Sequence, residues 1–290
     1  MKLIKQSFQF VNQKGFTLKD IYKHIEYCAR ISYKSQDKIT ETSYEKFVNM
    51  LESRGHDRPL EFGTVYLTLR GDDTNALRNI FTYTENPWTK IRKQVIKAEY
   101  DPNTHVVLNH VTTNYRVIVE NHLEEDLKYL CEPTEYHYKR YTAHMILDRG
   151  VMDEFRTHVG LSHLAESTRY CNYSKDKFDN EITFIKPCWL DDEKLKLYYH
   201  TVIRDKSPES IFIANLNNVE RDYLDLIKLG WTPQQARSVL PLGIKSELIS
   251  CGFEDSWSNF FYRRDAKDAH PMAQEIAKPM HEKFNELIRA

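Results

Sequence analysis

The order of hydrophobic and polar residues predicts three elements in the N-terminal segment. Apolar and polar side chains alternate over residues 1–12, as expected for a strand with one buried face. Thr17 precedes apolar residues at helical spacing and predicts the N-cap of a helix that ends near Ser32. A second helix is predicted over residues 43–53, and Gly55 is suited to end it.

The middle of the chain contains strand patterns separated by polar stretches. Residues 63–70 are the clearest strand, because β-branched and aromatic side chains alternate there. Residues 71–104 are polar and predict an insertion or a lid with a short helix. The remaining predictions are strands over residues 105–119 and 136–147, a break at Asp148-Arg149-Gly150, a helix over 151–158, and a loop or helix edge over 159–175.

The C-terminal half is predicted to be mostly helical. Ser207-Pro208 begins a long helix that Gly230 ends, and Thr232-Pro233 begins another that ends near Pro241. Strands and helices follow each other without strict alternation. The pattern therefore favours an α+β fold, an antiparallel sheet flanked by helices, in a single domain of residues 1–290. The last predicted elements are a strand over residues 245–251 and helices over 255–264 and 271–287.

Charge and cysteine content narrow the classes of function. The chain has 41 basic and 42 acidic side chains, so no overall attraction to a nucleic acid polymer or a membrane is expected. No apolar segment approaches membrane-spanning length, and the N-terminus lacks the apolar core of a signal peptide. Five widely spaced cysteines without a C-x-x-C pair favour a cytoplasmic protein and predict no metal site.

Residues 148–175 hold the densest set of functional side chains. Ser167, Thr168 and Arg169 are consecutive, and two hydroxyls with a guanidinium are suited to bind a phosphate group. The alternative is a capped turn with a surface arginine. Arg237 and Arg264 each adjoin an apolar helix face, and for each the alternative is a surface salt bridge.

Cys171 follows this phosphate-type segment and is a candidate nucleophile. A nucleophilic thiol needs an adjacent base, and the sequence offers only His158 or His163 nearby. The sequence therefore favours a packing role for Cys171.

Five segments together resemble the flavin-dependent thymidylate synthase family. Their order and spacing are similar over roughly residues 25–270, so the resemblance does not depend on one motif. The segments are A-R-I-S-Y from Ala29, P-L-E-F-G-T-V-Y from Pro59, E-S-T-R-Y-C-N-Y-S from Glu166, Q-A-R-S-V-L-P-L from Gln235 and W-x-N-F-F-x-x-R from Trp257.

The resemblance implies a homotetramer with active sites at subunit interfaces. Such enzymes bind FAD, take reducing equivalents from NADPH, and transfer a methylene from methylenetetrahydrofolate to C5 of dUMP, giving dTMP. They form no covalent bond between a cysteine and the pyrimidine. Because the flavin carries the chemistry, the protein is expected to orient the reactants and polarise the pyrimidine.

The resemblance also implies a role for individual residues at the nucleotide. Arg264 is expected to face the uracil and favour ionisation at N3, which raises electron density at C5; a fixed cation stabilises such an anion. Glu154 stands where the family usually has Gln beside the pyrimidine. The implied nucleotide contacts are Ser167, Thr168 and Arg169 at the phosphate, with Arg237, Arg264 and Glu154.

The flavin positions are less complete. The matching residues are Ser32, Thr64, Asn259 and His158, the last being the histidine of the family's Arg-His-Arg signature. Thr157 and Val159 replace the two signature arginines. Phe62 replaces a histidine, and Ala165 replaces a glutamate that contacts both ligands. Loss of two charge-assisted contacts is expected to weaken FAD binding.

Three hypotheses remain open from the sequence. The first is an active thymidylate synthase whose flavin is held by other groups, such as Arg156 or His163. The second is a divergent enzyme that makes a 5-hydroxymethyl pyrimidine nucleotide, which requires no net reduction. The third is a non-catalytic nucleotide-binding homologue. Retention of Arg237 and Arg264 argues against the third.

Overall fold

The structure is a computed structural model that describes residues 1–98, 103–193 and 207–289. The described residues form three sheets, of two, four and three strands, together with helices. All strand pairs in the two larger sheets are antiparallel. This confirms the predicted α+β class. One short parallel pair, Lys2–Ile4 with Thr183–Ile185, was not predicted.

The elements follow the predicted order, except that the one strand predicted over residues 1–12 is divided into two short strands that lie in different sheets. The strands are β1 (Lys2–Ile4), β2 (Ser7–Phe10), β3 (Thr64–Arg70), β4 (Lys90–Lys97), β5 (His105–Asn114), β6 (Arg140–Asp148), β7 (Ser162–Ala165), β8 (Thr183–Ile185) and β9 (Lys245–Phe253). The α-helices are α1 (Leu18–Ser32), α2 (Ser43–Ser53), α3 (Thr74–Leu77), α4 (Ile80–Glu85), α5 (Tyr115–Glu120), α6 (Arg149–Arg156), α7 (Pro208–Lys228), α8 (Pro233–Ala236), α9 (Glu254–Arg264) and α10 (Pro271–Arg289).

The N-terminal sheet has the strand order β3-β5-β4, and α1 and α2 pack against it. Residues 71–104 contain the predicted short helix, as α3 and α4, but strand β4 pairs with the sheet and shows that the prediction of an insertion or lid was wrong for residues 90–97; residues 99–102 lie outside the described residues. The charged side chains of β4 suit an edge strand, and they conceal the alternation of apolar and polar residues that predicts a strand. The predicted strand over 105–119 ends early, because the Asn114 side chain accepts from Val117 N and caps a helix.

The C-terminal sheet has the order β2-β6-β9-β7, with α6, α9 and α10 packed on it. Buried Trp257 anchors this core, and its indole Nε1 donates to Tyr141 O at 3.0 Å. Strand β6 begins four residues after the predicted start, because Thr134 O accepts from His137 N in a turn. Strand β7 shows that the loop or helix edge predicted over 159–175 was wrong at residues 162–165, and four residues are too few to show a period; the rest of that segment is loop.

A small apolar layer joins the two sheets. It combines Cys28 and Ile31 of α1 with Phe62, Leu164 and residues of β9. A hydrogen bond from Arg140 Nη2 to Glu61 O, 2.8 Å long, connects the same two regions. This layer places α1 and residues 58–62 beside the end of β7, where the candidate site lies. A single domain over residues 1–290 stays a prediction.

Candidate functional site

A cleft lined by four arginines lies at the end of β7. Its volume is about 250 Å³. The cleft is open to solvent on one side and polar on its walls, so it is suited to an anionic ligand. Its lining consists of His163, Leu164, Ala165, Glu166, Ser167 and Thr168, with the side chains of Arg58, Arg149, Arg156 and Arg237.

The loop after β7 presents two of the predicted phosphate contacts. Glu166 N donates to Glu247 O at 2.8 Å, which fixes the start of the loop to β9. Tyr170 N then donates to Ser167 O at 3.1 Å and closes a turn. Thr168 is buried, and its hydroxyl accepts from Arg237 Nη1 at 3.4 Å. The structure therefore brings Ser167, Thr168 and Arg237 together.

Arg169 has a different environment. Its Nε donates to Gln234 Oε1 at 3.3 Å, and its guanidinium lies 5.4 Å from the ring centre of Tyr170. It does not line the arginine cleft. Within this chain, the prediction of a phosphate contact for Arg169 has no geometric support.

Sequence reasoning assigned no cleft role to Arg58 and Arg149, and it named Arg156 only as a substitute flavin contact. Arg149 and Arg156 are seven residues apart on α6, two helical turns, and so share a face. Residue 149 was predicted to belong to a break before a helix starting at residue 151. The helix instead starts at Arg149, two residues earlier, because the Asp148 side chain caps it by accepting from Val151 N at 2.7 Å. Arg58 reaches the cleft from a 3₁₀ segment, Arg58–Phe62, distant in sequence.

A buried charge cluster supports the loop from below. It comprises the carboxylates of Glu166 and Glu247 and the ammonium groups of Lys34 and Lys245. Lys245 Nζ lies 3.0 Å from Glu166 Oε2 and 2.5 Å from Glu247 Oε1, while Lys34 forms ion pairs with both carboxylates. Glu166 is 1% exposed. Two positive charges thus balance two negative ones, and Glu166 adds no net negative charge to the cleft.

Protonation in this cluster follows from its geometry. Burial raises the pKa of Glu247, but a hydrogen bond from His144 and the charges of Lys245 and Lys34 outweigh it and hold that pKa well below its ordinary value. Burial opposes the charge on Lys245, yet Glu166 and Glu247 raise the pKa of its amine. Lys245 and Glu247 therefore stay charged at neutral pH.

His163 and Cys171 lie at or next to the cleft, but neither side chain is charged at neutral pH. Burial lowers the pKa of His163 to about 4, and both ring nitrogens are engaged, Nε2 with His158 O at 3.2 Å and Nδ1 with Ser250 Oγ at 2.8 Å. A neutral ring with both nitrogens engaged is a poor anion ligand. Burial and the neighbouring Glu166 carboxylate raise the pKa of Cys171 to about 12, so its thiol stays protonated.

Glu154 and Arg264 form a separate ion pair. Arg264 donates from Nη1 to Glu154 Oε1 and from Nη2 to Glu154 O at 2.9 Å, and its side chain is 16% exposed. Its Nε is buried and has no partner among the described residues. Neither residue lines the arginine cleft. Glu154 instead lines an apolar cavity of about 390 Å³ with Trp189 and Phe212.

None of the four residues predicted to contact FAD lines the arginine cleft. Ser32 Oγ donates to Ala29 O within its own helix, at 2.7 Å, and Thr64 Oγ1 accepts from Arg140 at 3.3 Å. Asn259 is exposed on α9. His158 fits a ligand contact best: it is buried, burial lowers its pKa, and its Nε2 has no partner among the described residues.

The positions where the signature is lost are also informative. Thr157 Oγ1 donates to Glu154 O at 2.7 Å, so its hydroxyl is used within α6. The Val159 side chain is 87% exposed, and Phe62 is fully buried in the layer between the two sheets. Neither of these two side chains offers a polar contact to a cofactor.

Neither a metal-binding cluster nor a membrane-spanning helix is found among the described residues. No group of three or more His, Cys, Asp or Glu side chains there is arranged to hold a metal ion. None of the helices that the structure describes is long and apolar enough to cross a membrane.

Comparison with known proteins gives the family. The profile of a family described as "Thymidylate synthase complementing protein" matches residues 132–288, more than half of the chain, and this range includes β6, β7, α6 and α9. The chain therefore belongs to the thymidylate synthase complementing protein family. No curated protein sequence matches it.

Two solved structures are similar to the chain. Thymidylate Synthase X (ThyX) from Helicobacter pylori, solved with FAD and dUMP, is 18% identical with a TM-score of 0.36; the match covers 49% of this chain and 66% of that chain. The UMP/dUMP methylase PolB from Streptomyces cacaoi, bound with 5-Br dUMP, is 15% identical with a TM-score of 0.42, covering 99% of this chain and 93% of that chain. At these values the likeness by itself assigns neither an activity nor a ligand to this chain.

Proposed function

We propose that this chain transfers a one-carbon unit from methylenetetrahydrofolate to C5 of dUMP, giving dTMP, with FAD and NADPH. The observation that carries the proposal is the contact between Thr168 and Arg237 at an arginine-lined cleft, in a member of this family. A pyrimidine nucleotide monophosphate is the ligand that suits both. Its phosphate bonds to the Ser167 and Thr168 hydroxyls and to the Arg237 guanidinium.

Arg264 supplies the second half of the proposed site. Its unpartnered Nε is a buried donor suited to a carbonyl oxygen of the pyrimidine, and its charge favours the anionic base. Glu154 now neutralises that charge, so binding of the base has to redirect the Glu154 carboxylate. Beside the pyrimidine, an ionised Glu154 would only accept hydrogen bonds. A glutamine in the same position could either donate or accept one.

Reduction in this proposal depends on a bound flavin. His158 is the residue best suited to contact it, because its buried Nε2 lacks a partner in the described part of the chain. When bound, the reduced flavin supplies the hydride that converts the transferred methylene to a methyl group. Ser32, Thr64 and Asn259 remain proposed contacts, and we expect them to meet the cleft at a subunit interface of a homotetramer.

The test combines a spectrum with a product analysis. The purified protein is expected to show bound flavin, or to take up FAD, and to convert dUMP to dTMP with methylenetetrahydrofolate and NADPH. A colourless protein that cannot be reconstituted with FAD would sink the flavin-dependent reaction. Light scattering after gel filtration tests the tetramer, and a monomer that turns over would contradict the interface.

One observation favours a second candidate function. Exposed Val159 and buried Phe62 leave two flavin positions without polar groups. Formation of a 5-hydroxymethyl product needs water and methylenetetrahydrofolate but no hydride. This reaction therefore does not require the flavin contacts that are missing at these two positions. Mass analysis of the product from dUMP, and from dCMP, separates methyl from hydroxymethyl. Nucleotide binding without turnover under every cofactor combination would instead identify a binding-only homologue.

A further inference from the structure

We infer that Glu166 is a positioning residue for the nucleotide phosphate. Its buried carboxylate holds the turn that presents Ser167 and Thr168 to the arginine cleft. Glu166 acts through these two hydroxyls rather than by touching the phosphate. The inference rests on the proposed function, because it takes the ligand of the turn to be a nucleotide phosphate.

Glu166 connects the two ends of this turn. At the start, its backbone N donates to Glu247 O at 2.8 Å, which ties the turn to β9. At the end, the Cys171 thiol donates to Glu166 Oε1 at 3.3 Å. The carbonyl of Cys171 accepts from the Tyr223 hydroxyl at 3.3 Å, so this end is also anchored to α7. A shift of residues 167–170 as a unit therefore requires that one of these bonds breaks.

Two ammonium groups from outside the turn fix the carboxylate itself. Lys245 is the first residue of β9, and its Nζ lies 3.0 Å from Glu166 Oε2. Lys34 follows the end of α1 by two residues, and its Nζ lies 3.5 Å from the same oxygen. The Glu166 side chain is 1% exposed, so water competes little for these contacts. The carboxylate therefore ties the turn to α1 and to the C-terminal sheet at once.

A buried ionic cluster is a costly way to stabilise a fold. Apolar residues of similar volume often stabilise a protein as well or better, because buried ions regain only part of the hydration that they lose. What such ion pairs add is a fixed geometry, since each buried charge is tolerated only in contact with its partner. The cluster is therefore better explained by the position that it imposes on the turn than by the stability that it adds.

The backbone of Lys34 supports the same role. Its φ is 51°, in the left-handed region, which is unfavourable for a residue with a Cβ and favours glycine. Its N donates to Ile31 O at 3.2 Å, so this conformation closes the end of α1. A lysine in this conformation is explained by its ammonium, which forms ion pairs with both Glu166 and Glu247.

Charge and positioning predict opposite effects when Glu166 becomes neutral. By Coulomb attraction alone, removing a negative charge from the cleft wall should tighten the binding of a phosphate dianion. If Glu166 positions the turn, the same change loosens the ion pairs and weakens binding, because Ser167 and Thr168 no longer meet the phosphate in fixed positions. Turnover at saturating nucleotide should change little, since Arg264 lies on α9 and pairs with Glu154, outside the cluster.

The experiment is calorimetric titration of the full chain with dUMP, combined with measurement of kcat and KM, for Glu166→Gln. Glutamine keeps the shape of the side chain and removes its charge. Glu26→Gln is the matched control, since Glu26 is also 1% exposed, pairs with Arg30 and does not line the cleft. We expect Glu166→Gln to weaken dUMP about tenfold and to keep kcat within about twofold, whereas Glu26→Gln binds dUMP like wild type.

Two further variants test the same contacts. Lys34→Gly removes one ammonium and also relieves the left-handed backbone, so it is expected to fold and to weaken dUMP about fivefold. The double variant Glu166→Gln/Lys245→Gln replaces an ion pair by two amides that can hydrogen-bond to each other. It should bind dUMP more tightly than Glu166→Gln alone, because the contact that holds the turn is restored without charge.

The outcomes separate positioning from the alternatives. A Glu166→Gln protein that binds dUMP as tightly as wild type, or more tightly, would overturn the inference, and so would a loss of kcat as large as the loss of affinity. If Glu166→Gln does not fold, Lys34→Gly decides, and dUMP affinity equal to that of wild type overturns the inference. If wild type itself does not bind dUMP, the proposed function fails instead.

Discussion

The arginine cleft and the Glu154–Arg264 pair present the same side chain in opposite electrostatic states. In the cleft, four guanidiniums face a cavity, and the buried carboxylate in its wall is neutralised by two lysines. On α9, Arg264 is bound to Glu154, and its charge is already balanced. The cleft is therefore prepared for an anion before a ligand arrives, whereas Arg264 has to exchange a partner.

We therefore expect the cleft to contribute mainly to nucleotide binding and the Glu154–Arg264 pair mainly to the chemical step. Cations that face an open cleft contribute to ground-state affinity, since their charge is only partly balanced before the ligand binds. Arg264 is released from the Glu154 carboxylate only when the ligand binds, and its charge contributes most as negative charge develops on the pyrimidine. An interaction that is stronger in the transition state than in the ground state is what accelerates a reaction. Substitutions in the two regions, and in the charge cluster beneath the cleft, test that division.

The largest effect is expected from removing a charge of the buried cluster. Lys245→Met leaves Glu166 and Glu247 to share Lys34, and breaking such a buried network costs about 3 to 5 kcal/mol of unfolding free energy. Chemical denaturation measures it. Lys228→Met is the control, since Lys228 is 75% exposed and pairs with Asp225. Equal stability of the two variants would mean that the cluster does not support the cleft.

Arg264→Ala tests the catalytic half of the comparison. We expect kcat to fall by about a hundredfold to a thousandfold, as for loss of one transition-state donor, while dUMP affinity falls only modestly. The neighbouring Arg263→Ala is the control, because Arg263 is exposed on the same helix. Steady-state kinetics measure kcat, and single-turnover experiments at varied dUMP concentration measure the dUMP affinity. Unchanged turnover in Arg264→Ala would remove this residue from the proposed chemistry.

Arg237→Ala tests the binding half. Loss of one charge-assisted contact to the phosphate should weaken dUMP about tenfold to a hundredfold and change kcat little. Calorimetry reports the dUMP affinity, and kcat at saturating dUMP reports the turnover separately. The opposite pattern, a large loss of kcat with affinity retained, would show that the cleft and the Arg264 pair do not divide binding from chemistry.

A pH effect of about 1 to 2 kcal/mol between pH 6.5 and pH 5 is expected from His163. Its pKa is lowered to about 4 in the fold, whereas an unfolded histidine has a pKa near 6.5. Below about pH 6.5 the unfolded chain gains a proton that the folded chain refuses, so stability falls as pH drops toward 4. His163→Gln should flatten unfolding free energy over that interval, while His56→Gln, at an exposed position, should not. Equal slopes would contradict the buried neutral ring.

The fold was largely readable from the sequence because its signals are local. Thr17 was predicted as a cap, and its hydroxyl does accept from Asp20 N in a capping box. Helix α2 has the predicted bounds. Strand β4 was missed, since its charged side chains conceal the alternation of an edge strand. Strand β7 was missed because a four-residue strand has no measurable period.

The site was only partly readable, because half of it depends on tertiary contacts. Ser167, Thr168 and Arg237 carried family motifs and do meet. Arg58 and Arg149 carried no motif, and their convergence depends on the packing of residues 58–62 against β7. The spacing of Arg149 and Arg156 on one helix face was available in the sequence, but placing the helix start after Gly150 concealed it.

The smallest effect is expected from Cys171, which separates this cleft from one that uses a covalent thiol. Its Sγ lies 3.3 Å from Glu166 Oε1, and burial with that carboxylate raises its pKa to about 12. Cys171→Ala should therefore keep turnover within about threefold and lower stability by roughly 1 kcal/mol through lost packing. Exposed Cys188→Ala is the control. A folded Cys171→Ala protein without activity would indicate a covalent nucleophile and would make the cleft, rather than Arg264, the centre of the chemistry.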